Sequence, residues 1–328
     1  HRRGEERDRP LNMVIESVFL LQALTWIAGV DLEGAASGRW TATVHLPELT
    51  QPDAGSGGVR VRSDRMRGEE KTPDAGGGHG VPALNQVLGA EADGYTLLMP
   101  ASGNMTVPSK AMQGKNVLEL LAPISLLTES PHVLVVNAKL PVDSVQGLVD
   151  YARAHPGKVN FGSAGVGGVA HLGMELFKSN AKIDVVHVPY RGTSQVLTDL
   201  ASGQVQALFS SMPSLKPMID KGSIRALAMS APSKGADTAT LPLVSQTVPG
   251  VSYTTWYGLF AKAGTPPEVL AKLNQAVIET LKNPELNQKF ESQGVEFVSS
   301  SPQGLADIVR RDTKQWTALI EQAGIEIE

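Results

Sequence analysis

The chain contains no cysteine among its 328 residues. This absence excludes disulfides, thiol nucleophiles and cysteine-based metal sites, and it fits an oxidising compartment whose proteins avoid stray thiols. Aromatic residues are sparse, at 5%. Acidic and basic residues are nearly balanced, with a net charge of −4. An excess of basic residues, which nucleic-acid binding would favour, is therefore missing. Long apolar runs are also missing, since the most apolar segment, residues 18–30, is too short to span a bilayer.

Residues 18–30 allow two interpretations. The segment follows the charged stretch 1–9 and precedes the small residues 35–37, as the apolar region of a signal peptide would. The charged residues before it make a poor signal-peptide start, and we therefore favour a core helix. The chain is accordingly predicted to be a mature form from which the signal peptide is absent.

From Val81 onward, short apolar runs alternate with amphipathic segments. Residues 101–104 and 128–132 are predicted to be turns. Strands that alternate with helices of this length predict an α/β protein with parallel sheets. The predicted helices cover residues 81–92, 144–155, 169–179 and 193–201, with two more that begin near Pro266 and Pro302, and the predicted strands cover residues 95–100, 122–127, 133–136, 158–161, 185–189, 207–210 and 225–229.

The richest site in the sequence is a glycine-rich turn between a predicted strand and a predicted helix. It reads Gly162-Ser163-Ala164-Gly165-Val166-Gly167-Gly168. Glycines let the backbone aim several N–H groups into one concavity, and the following helix adds the positive end of its dipole. A carboxylate or a phosphate is the kind of ligand that such a turn holds best.

Three interpretations of this turn remain open at this point. Gly165-x-Gly167-x-x-Ala170 matches a dinucleotide fingerprint, and Arg191 is placed as a partner for a 2′-phosphate, which suggests an NADP-dependent oxidoreductase. The preceding strand is short and polar, however, and the turn begins early, at Gly162. We favour a cradle for an organic anion over the NADP site and over a structural turn without a ligand.

Catalysis and metal binding have little support. Ser163 does not lie in the Gly-x-Ser-x-Gly elbow of hydrolases, and no acidic residue is placed to orient His171 or His187. A packing or capping role is favoured for His171, and a core position for His187. No spacing suggests a metal site. The prediction is therefore a protein that is not an enzyme and has no cofactor.

Three polar residues lie in turns predicted to follow strands, where open α/β sheets bind their ligands. They are Asn104, Ser130 and His132. Together with the glycine turn they describe the rim of a crevice.

From about Asp74 to its end, the chain resembles the receptor family of tripartite tricarboxylate transporters, the TctC or Bug group of periplasmic solute-binding proteins. The resemblance rests on several short segments, which are specific because they occur in the family's order and spacing over roughly 250 residues. They include Asp93-Gly-Tyr-Thr-Leu-Leu, Leu121-Ala-Pro-Ile-Ser-Leu-Leu, Val133-Leu-Val-Val-Asn, Pro156-Gly-Lys-Val-Asn-Phe-Gly-Ser-Ala-Gly and Val186-His-Val-Pro-Tyr-Arg-Gly.

The resemblance implies a two-lobed clamshell of type-II-like topology, in which each lobe is a mixed, mostly parallel sheet flanked by helices. Residues 1–124 and 227–328 would form one lobe, and residues 125–226 the other. It also implies a small organic carboxylate, such as a di- or tricarboxylate, an acidic amino acid or an aromatic acid. The protein would be a monomeric periplasmic receptor that binds this ligand in its interlobe cleft and delivers it to the membrane components of a tripartite transporter.

The ligand-binding residues that the resemblance implies fall in two sets. Residues 163–167 and the start of the next helix would hold one carboxylate, and the rim would be formed by other polar side chains. Those rim candidates are Ser102, Asn104, Ser130 and His132, with Arg191 and Thr193 as further candidates.

The N-terminal quarter departs from the family. Residues 9–15 resemble the usual first strand, but the expected glycine loop and alanine-rich helix do not follow. Either this lobe is divergent, or residues 16–72 are misreported, and the unusual composition of residues 53–70 makes us favour the second hypothesis. Peptide masses that match residues 16–72 as printed would contradict it.

Overall fold

The computed structural model describes residues 11–15, 40–45, 60–64, 81–108, 115–233, 235, 237–284, 287, 291 and 295–327. The chain divides into two compact units. The first comprises residues 1–128, 256–290 and 297–311, and the second comprises residues 129–255, 291–296 and 312–328. The lobe boundaries derived from the sequence stay a prediction.

The described strands and helices alternate through most of the chain. The strands are β1 (Leu11–Ile15), β2 (Trp40–His45), β3 (Arg60–Asp64), β4 (Thr96–Met99), β5 (Leu121–Pro131), β6 (Val133–Asn137), β7 (Val159–Ser163), β8 (Val185–Pro189), β9 (Ala207–Ser210), β10 (Ile224–Met229), β11 (Thr254–Lys262) and β12 (Glu296–Phe297). The helices are α1 (Val81–Gly89), α2 (Ser102–Thr106), α3 (Val117–Leu120), α4 (Val145–Ala154), α5 (Val169–Ala181), α6 (Thr193–Ser202), α7 (Met212–Asp220), α8 (Pro267–Thr280) and α9 (Pro302–Ala323).

A seven-stranded sheet has the order β12-β5-β11-β4-β1-β2-β3. Strand β1 pairs in parallel with β4, whereas β2 is antiparallel to both of its neighbours. The core of the first unit includes Trp256 and Phe260, which are fully buried on β11, together with Leu305 and Val309 from α9. Burial of these apolar side chains supplies the main free energy that holds this unit together.

The second unit contains a five-stranded sheet of order β10-β6-β9-β7-β8. Strands β9, β7 and β8 run parallel to one another, and β6 is antiparallel to both β9 and β10. Its buried core includes Val133 and Val135 of β6 and Val196 and Leu200 of α6. The two parallel crossovers, each made by one helix, place α5 and α6 directly after the strands that carry the candidate site.

Local sequence signals explain where the helices begin and end. Ser144 caps α4, because its hydroxyl accepts a hydrogen bond from Gly147 N at 3.1 Å. Gly203 ends α6 with a left-handed backbone, at φ +92°, which glycine adopts without the strain that a side chain would add.

The predicted α/β class is confirmed, and the sheets are mixed. Parallel pairing prevails around the glycine turn but does not extend to β6 and β10. Two predicted turns were wrong. Residues 101–104 enter helix α2, in which Thr106 Oγ1 donates to Ser102 O at 2.8 Å, and residues 128–131 continue strand β5. In both places polar residues suggested a turn, but short-range hydrogen bonding and strand pairing prevailed over that local preference.

Predictions that concern residues 18–30 fall outside the described residues. The same is true of most of residues 16–72, in which the structure describes only β2 and β3.

Candidate functional site

The glycine turn lies at one edge of the second unit's sheet. Strands β7 and β8 are parallel and end side by side, with Ser163 opposite Pro189. Tyr190 N donates to Ser163 O at 2.9 Å and extends this pairing by one residue. Helices α5 and α6 therefore both begin just beyond the same edge, where the carboxyl ends of the parallel strands meet.

The first turns of these two helices offer main-chain donors. The N-cap residues are Gly168 for α5 and Gly192 for α6, and glycine has no side chain with which to cap a helix. In the turn before α5, Gly165 and Gly167 adopt φ values of +141° and +77°. The N–H groups of Gly165 and Gly167 themselves donate within the turn, to Ser163 Oγ and to His171 Nδ1, so the donors that an anion could use lie at the helix starts, where the positive ends of the helix dipoles also attract it.

Gly162 serves packing rather than ligand approach. A Cβ atom at this position would lie 2.1 Å from Cγ2 of Val196 and 3.4 Å from Cε2 of Tyr190. Glycine is therefore required here because helix α6 packs directly against strand β7. The sequence motif alone did not distinguish this role from that of the glycines farther along the turn.

The hydroxyl of Ser163 is used within the turn. Its Oγ donates to Gly165 O at 2.9 Å, lies 2.7 Å from Nε2 of His187, and faces Gly165 N at 3.4 Å. Because a carbonyl oxygen can only accept, the single hydroxyl proton belongs to Gly165 O, and Nε2–H of His187 must donate to Ser163. Ser163 is also buried, with 1% of its surface exposed. It therefore shapes the turn from inside.

His171 holds the other end of the turn. Its Nδ1 accepts a hydrogen bond from Gly167 N at 3.1 Å, which agrees with the capping role favoured from the sequence. An acidic residue lies near this ring, but beyond hydrogen-bond distance of the neutral imidazole. Glu175, one helical turn later, places Oε1 3.8 Å from Nε2 of His171, and the i, i+4 spacing was the signal that could have revealed it.

Burial keeps both histidines neutral. The pKa of His171 is lowered to about 3, first by burial and then by the nearby His187 and Lys178. The pKa of His187 is lowered to about 4, again mainly by burial and then by Lys178. Their rings stack on each other with centroids 3.9 Å apart. At neutral pH the site therefore gains no positive charge from either ring.

His132 lies at the same edge of the sheet. It precedes Val133, which pairs with Ser210 at the end of β9, and two strand spacings place it roughly 10 Å from the turn. Nε2 of His132 lies 2.9 Å from Oγ1 of Thr255, whereas its buried Nδ1 has no partner among the described residues. Burial lowers the pKa of His132 to about 4.

Among the other predicted rim residues in the second unit, Ser130 is half-buried and lies in strand β5 rather than in a turn. Arg191 is exposed, and Thr193 is the half-buried first residue of α6. Ala164 and Val166 are exposed within the glycine turn. A role for these residues in ligand binding stays a prediction.

Ser102 and Asn104 belong to the first unit. Ser102 is buried, and its hydroxyl accepts a hydrogen bond from Trp256 N at 3.3 Å. Asn104 is half-buried within α2, and its backbone N–H donates to Ala101 O at 3.0 Å. Their predicted contact with a ligand is likewise untested.

Tyr190 supports the site in a way that no sequence motif indicated. Its hydroxyl donates to Oδ2 of Asp199 at 2.7 Å, and burial together with this bond raises its pKa to about 12. The bond ties the end of β8 to helix α6, and no short motif relates two residues that are nine positions apart.

The close approach of Ser163 and His187 does not make a nucleophile. The hydroxyl proton is directed to a carbonyl oxygen, so the imidazole is not placed to remove it. Within the described residues, no group of three histidine, aspartate or glutamate side chains is arranged to hold a metal ion. The arrangement offers main-chain donors for an anion.

The fold of two α/β units is similar to that of solved periplasmic solute-binding proteins. Comparison with known families agrees, because the family model described as the tripartite tricarboxylate transporter family receptor matches residues 70–325. The chain belongs to this family. The match begins at residue 70, close to the end of the segment that departs from the family pattern.

Individual relatives support the assignment. Protein BugT of Bordetella pertussis is 28% identical over 277 residues, which cover 82% of this chain and 84% of BugT. The structure titled "R. palustris Rpa4515 with adipate" is 31% identical, with a TM-score of 0.64, and the match covers 75% of this chain and 83% of that one. MatC from Rhodopseudomonas palustris with bound malate is 26% identical, with a TM-score of 0.61, over 74% and 85% of the two chains.

Family membership decides between the functional classes that the sequence left open. Members of this family are periplasmic binding proteins rather than enzymes, and the alternative of an NADP-dependent oxidoreductase is therefore not supported. In the part of the chain that the structure describes, no helix is both long enough and apolar enough to cross a membrane.

Proposed function

We propose that the protein is a periplasmic receptor for a small organic dicarboxylate. The observation that carries this proposal is the shared sheet edge at which α5 and α6 begin after glycine N-caps. Two helix N-termini beside a turn with positive φ values provide donors for the oxygens of one carboxylate.

A carboxylate suits the site better than a more highly charged anion. Arg191 is the single cationic residue among the predicted site residues, and the nearby histidines are neutral. Main-chain donors without a cluster of cations favour a ligand that carries little charge per binding group. Adipate and malate in the structures of Rpa4515 and MatC are ligands of this kind.

Ligand titration tests the proposal. Calorimetry and thermal unfolding should be measured with adipate, malate and a panel of other dicarboxylates, with adipamide as an uncharged analogue of adipate. A ligand at 100 times its dissociation constant stabilises the folded state by about 2.7 kcal/mol, whereas the diamide should give no comparable effect. Stabilisation by adipamide equal to that by adipate, or no response to any dicarboxylate, would contradict the proposal.

Backbone strain needs a matched control. The double substitution Gly165→Val and Gly167→Val should abolish the ligand response, because valine is strongly disfavoured at positive φ. Gly222→Val introduces similar strain at φ +69°, beside strand β10 at the opposite edge of the same sheet, where a Cβ atom meets no neighbour within 4 Å. This control should lower stability while leaving ligand affinity unchanged.

We further propose that the receptor acts as a monomer and delivers its ligand to the membrane components of a tripartite transporter. Family membership supports this role. Uptake of a radiolabelled dicarboxylate should be lost in cells that lack the receptor and should return with the wild-type gene but not with the Gly165→Val, Gly167→Val variant. Equal recovery with both genes would contradict the role assigned to the turn.

A further inference from the structure

Two stacked histidines support the glycine turn from inside the second unit. His171 is 3% exposed and His187 is half-buried, and neither was assigned a ligand contact. Phe161 continues the stack, with its ring centroid 4.7 Å from that of His187. The stack connects the strand that precedes the turn with the helix that follows it.

Each histidine holds a different end of the turn. His187 donates to Ser163, the last residue of β7, and His171 accepts from Gly167, one residue before the N-cap of α5. Between these anchors lie residues 164–166, and the start of α5, whose main-chain donors belong to the candidate anion site, follows directly after Gly167. The conformation of that short segment is therefore fixed from both sides by side chains that the ligand does not need to touch.

Both bonds require one particular tautomer. Nδ1 of His171 must lack a proton in order to accept from Gly167, and its proton is therefore on Nε2, which faces Glu175 at 3.8 Å. Nε2 of His187 carries its proton in order to donate to Ser163. The titratable groups around the pair are Glu175, whose other oxygen lies 3.5 Å from Nζ of Lys178, and Lys178 itself.

We propose that His171 and His187 are positioning residues that preorganise the glycine turn for its ligand, each acting as the neutral Nε2–H tautomer. The inference rests on the proposed function, since it assigns the histidines to the site that binds the carboxylate. A preformed turn avoids the entropy cost of ordering on binding and therefore raises affinity. A protonated His171 would present an N–H to Gly167 N–H and would release that end of the turn.

Matched substitutions separate hydrogen bonding from packing. His171→Asn keeps an acceptor close to the position of Nδ1, and His187→Gln keeps a donor close to the position of Nε2, while neither new side chain titrates. His171→Leu and His187→Leu retain bulk but lose the bonds. His155→Asn, on an exposed histidine that stacks on Tyr151, is the control for loss of a histidine elsewhere in the same unit.

The first measurement needs no ligand. Nuclear magnetic resonance of the free protein should show both rings as the neutral Nε2–H tautomer at pH 5 to 8. It should also show slow exchange of the Gly167 amide proton in the wild type and in His171→Asn, and exchange on the order of tenfold faster in His171→Leu, as expected for one lost hydrogen bond. A proton on Nδ1 of His171, or unchanged exchange in His171→Leu, would overturn the inference whatever ligand the protein binds.

The second measurement is affinity for whichever of adipate and malate binds the wild type. Each leucine variant should bind on the order of tenfold more weakly, and His171→Asn and His187→Gln should restore most of this loss. Leucine variants that bind as tightly as the wild type would overturn the inference while leaving the proposed function intact. If the free-protein measurements succeed but no carboxylate binds, the proposed function fails and the preorganised turn stands.

Discussion

The contact between Gly162 and Val196 gives the sharpest prediction about how the second unit is built. Replacing Gly162 by alanine would place a Cβ atom 2.1 Å from Cγ2 of Val196, a buried and β-branched side chain. Since Val196 cannot rotate freely away within its helix, strand β7 and helix α6 must move apart by roughly 1 Å.

The size of the effect follows from two opposing contributions. Because Gly162 does not have a positive φ, alanine at this strand position would by itself stabilise the protein by about 0.4–1 kcal/mol through the entropy of the unfolded chain. Overpacking in a close-packed core costs about 1–3 kcal/mol. We therefore expect Gly162→Ala to lower the free energy of unfolding by about 1–2 kcal/mol.

A double-mutant cycle isolates the contact. Val196→Ala alone removes two buried methyl groups and should cost about 1–3 kcal/mol. In the double variant the new methyl group at position 162 occupies space that Val196 has vacated, so the two losses should not add, and the coupling energy should be about 1 kcal/mol or more.

Equilibrium urea unfolding of the four proteins, followed by circular dichroism and fitted with one unfolding scheme, measures this energy. A stabilised Gly162→Ala variant, or losses that simply add, would refute the packing role of Gly162.

Three further outcomes are expected. Gly167→Ala should weaken ligand binding and cost about 1 kcal/mol of stability, because the φ of Gly167 is +77°. Gly168→Ala, at a φ of −66°, should change affinity and stability much less; calorimetry measures the affinity and urea unfolding the stability of each variant. Burial holds the pKa of His132 near 4 in the folded state, against about 6.5 when unfolded, so this residue alone should contribute about 3 kcal/mol to the stability lost as the pH drops from 6.5 to 4. His171 and His187 add losses of their own over this range, so His132→Gln should lose about 3 kcal/mol less than the wild type, and an equal loss in the two proteins would contradict this. Asn137→Ala should cost about 1–3 kcal/mol in urea unfolding, because the buried Asn137 amide donates to Leu200 O at 2.6 Å, and a neutral result would argue against that bond.

Local signals predicted much of the fold. Strand β8 and strand β9 lie where their apolar runs placed them, and helix α4 begins after Ser144, which was identified as its start. Helix α6 ends before Gly203, as expected for a glycine that can adopt a left-handed conformation. These features depend on neighbouring residues, and a single sequence contains the information for them.

The supports of the site could not be predicted in the same way. Ser163 and His187 are 24 positions apart and meet because β7 and β8 pair in parallel, and Ser102 reaches Trp256 across 154 positions. The role of Gly162 depends on the helix that packs over it. Such contacts are consequences of the tertiary fold, so motif spacing cannot distinguish a glycine needed for packing from one needed for a ligand.

The proposed attachment of the ligand through main-chain groups has a consequence for how such proteins diversify. Ala164 and Val166 are exposed, with 44% of the Val166 surface accessible, and the N–H groups beside them do not depend on which side chains stand there. Mutations at these two positions can therefore alter the surroundings of a ligand while its attachment is kept. A gene duplicate could acquire a new preference in single steps, without passing through a form that binds nothing.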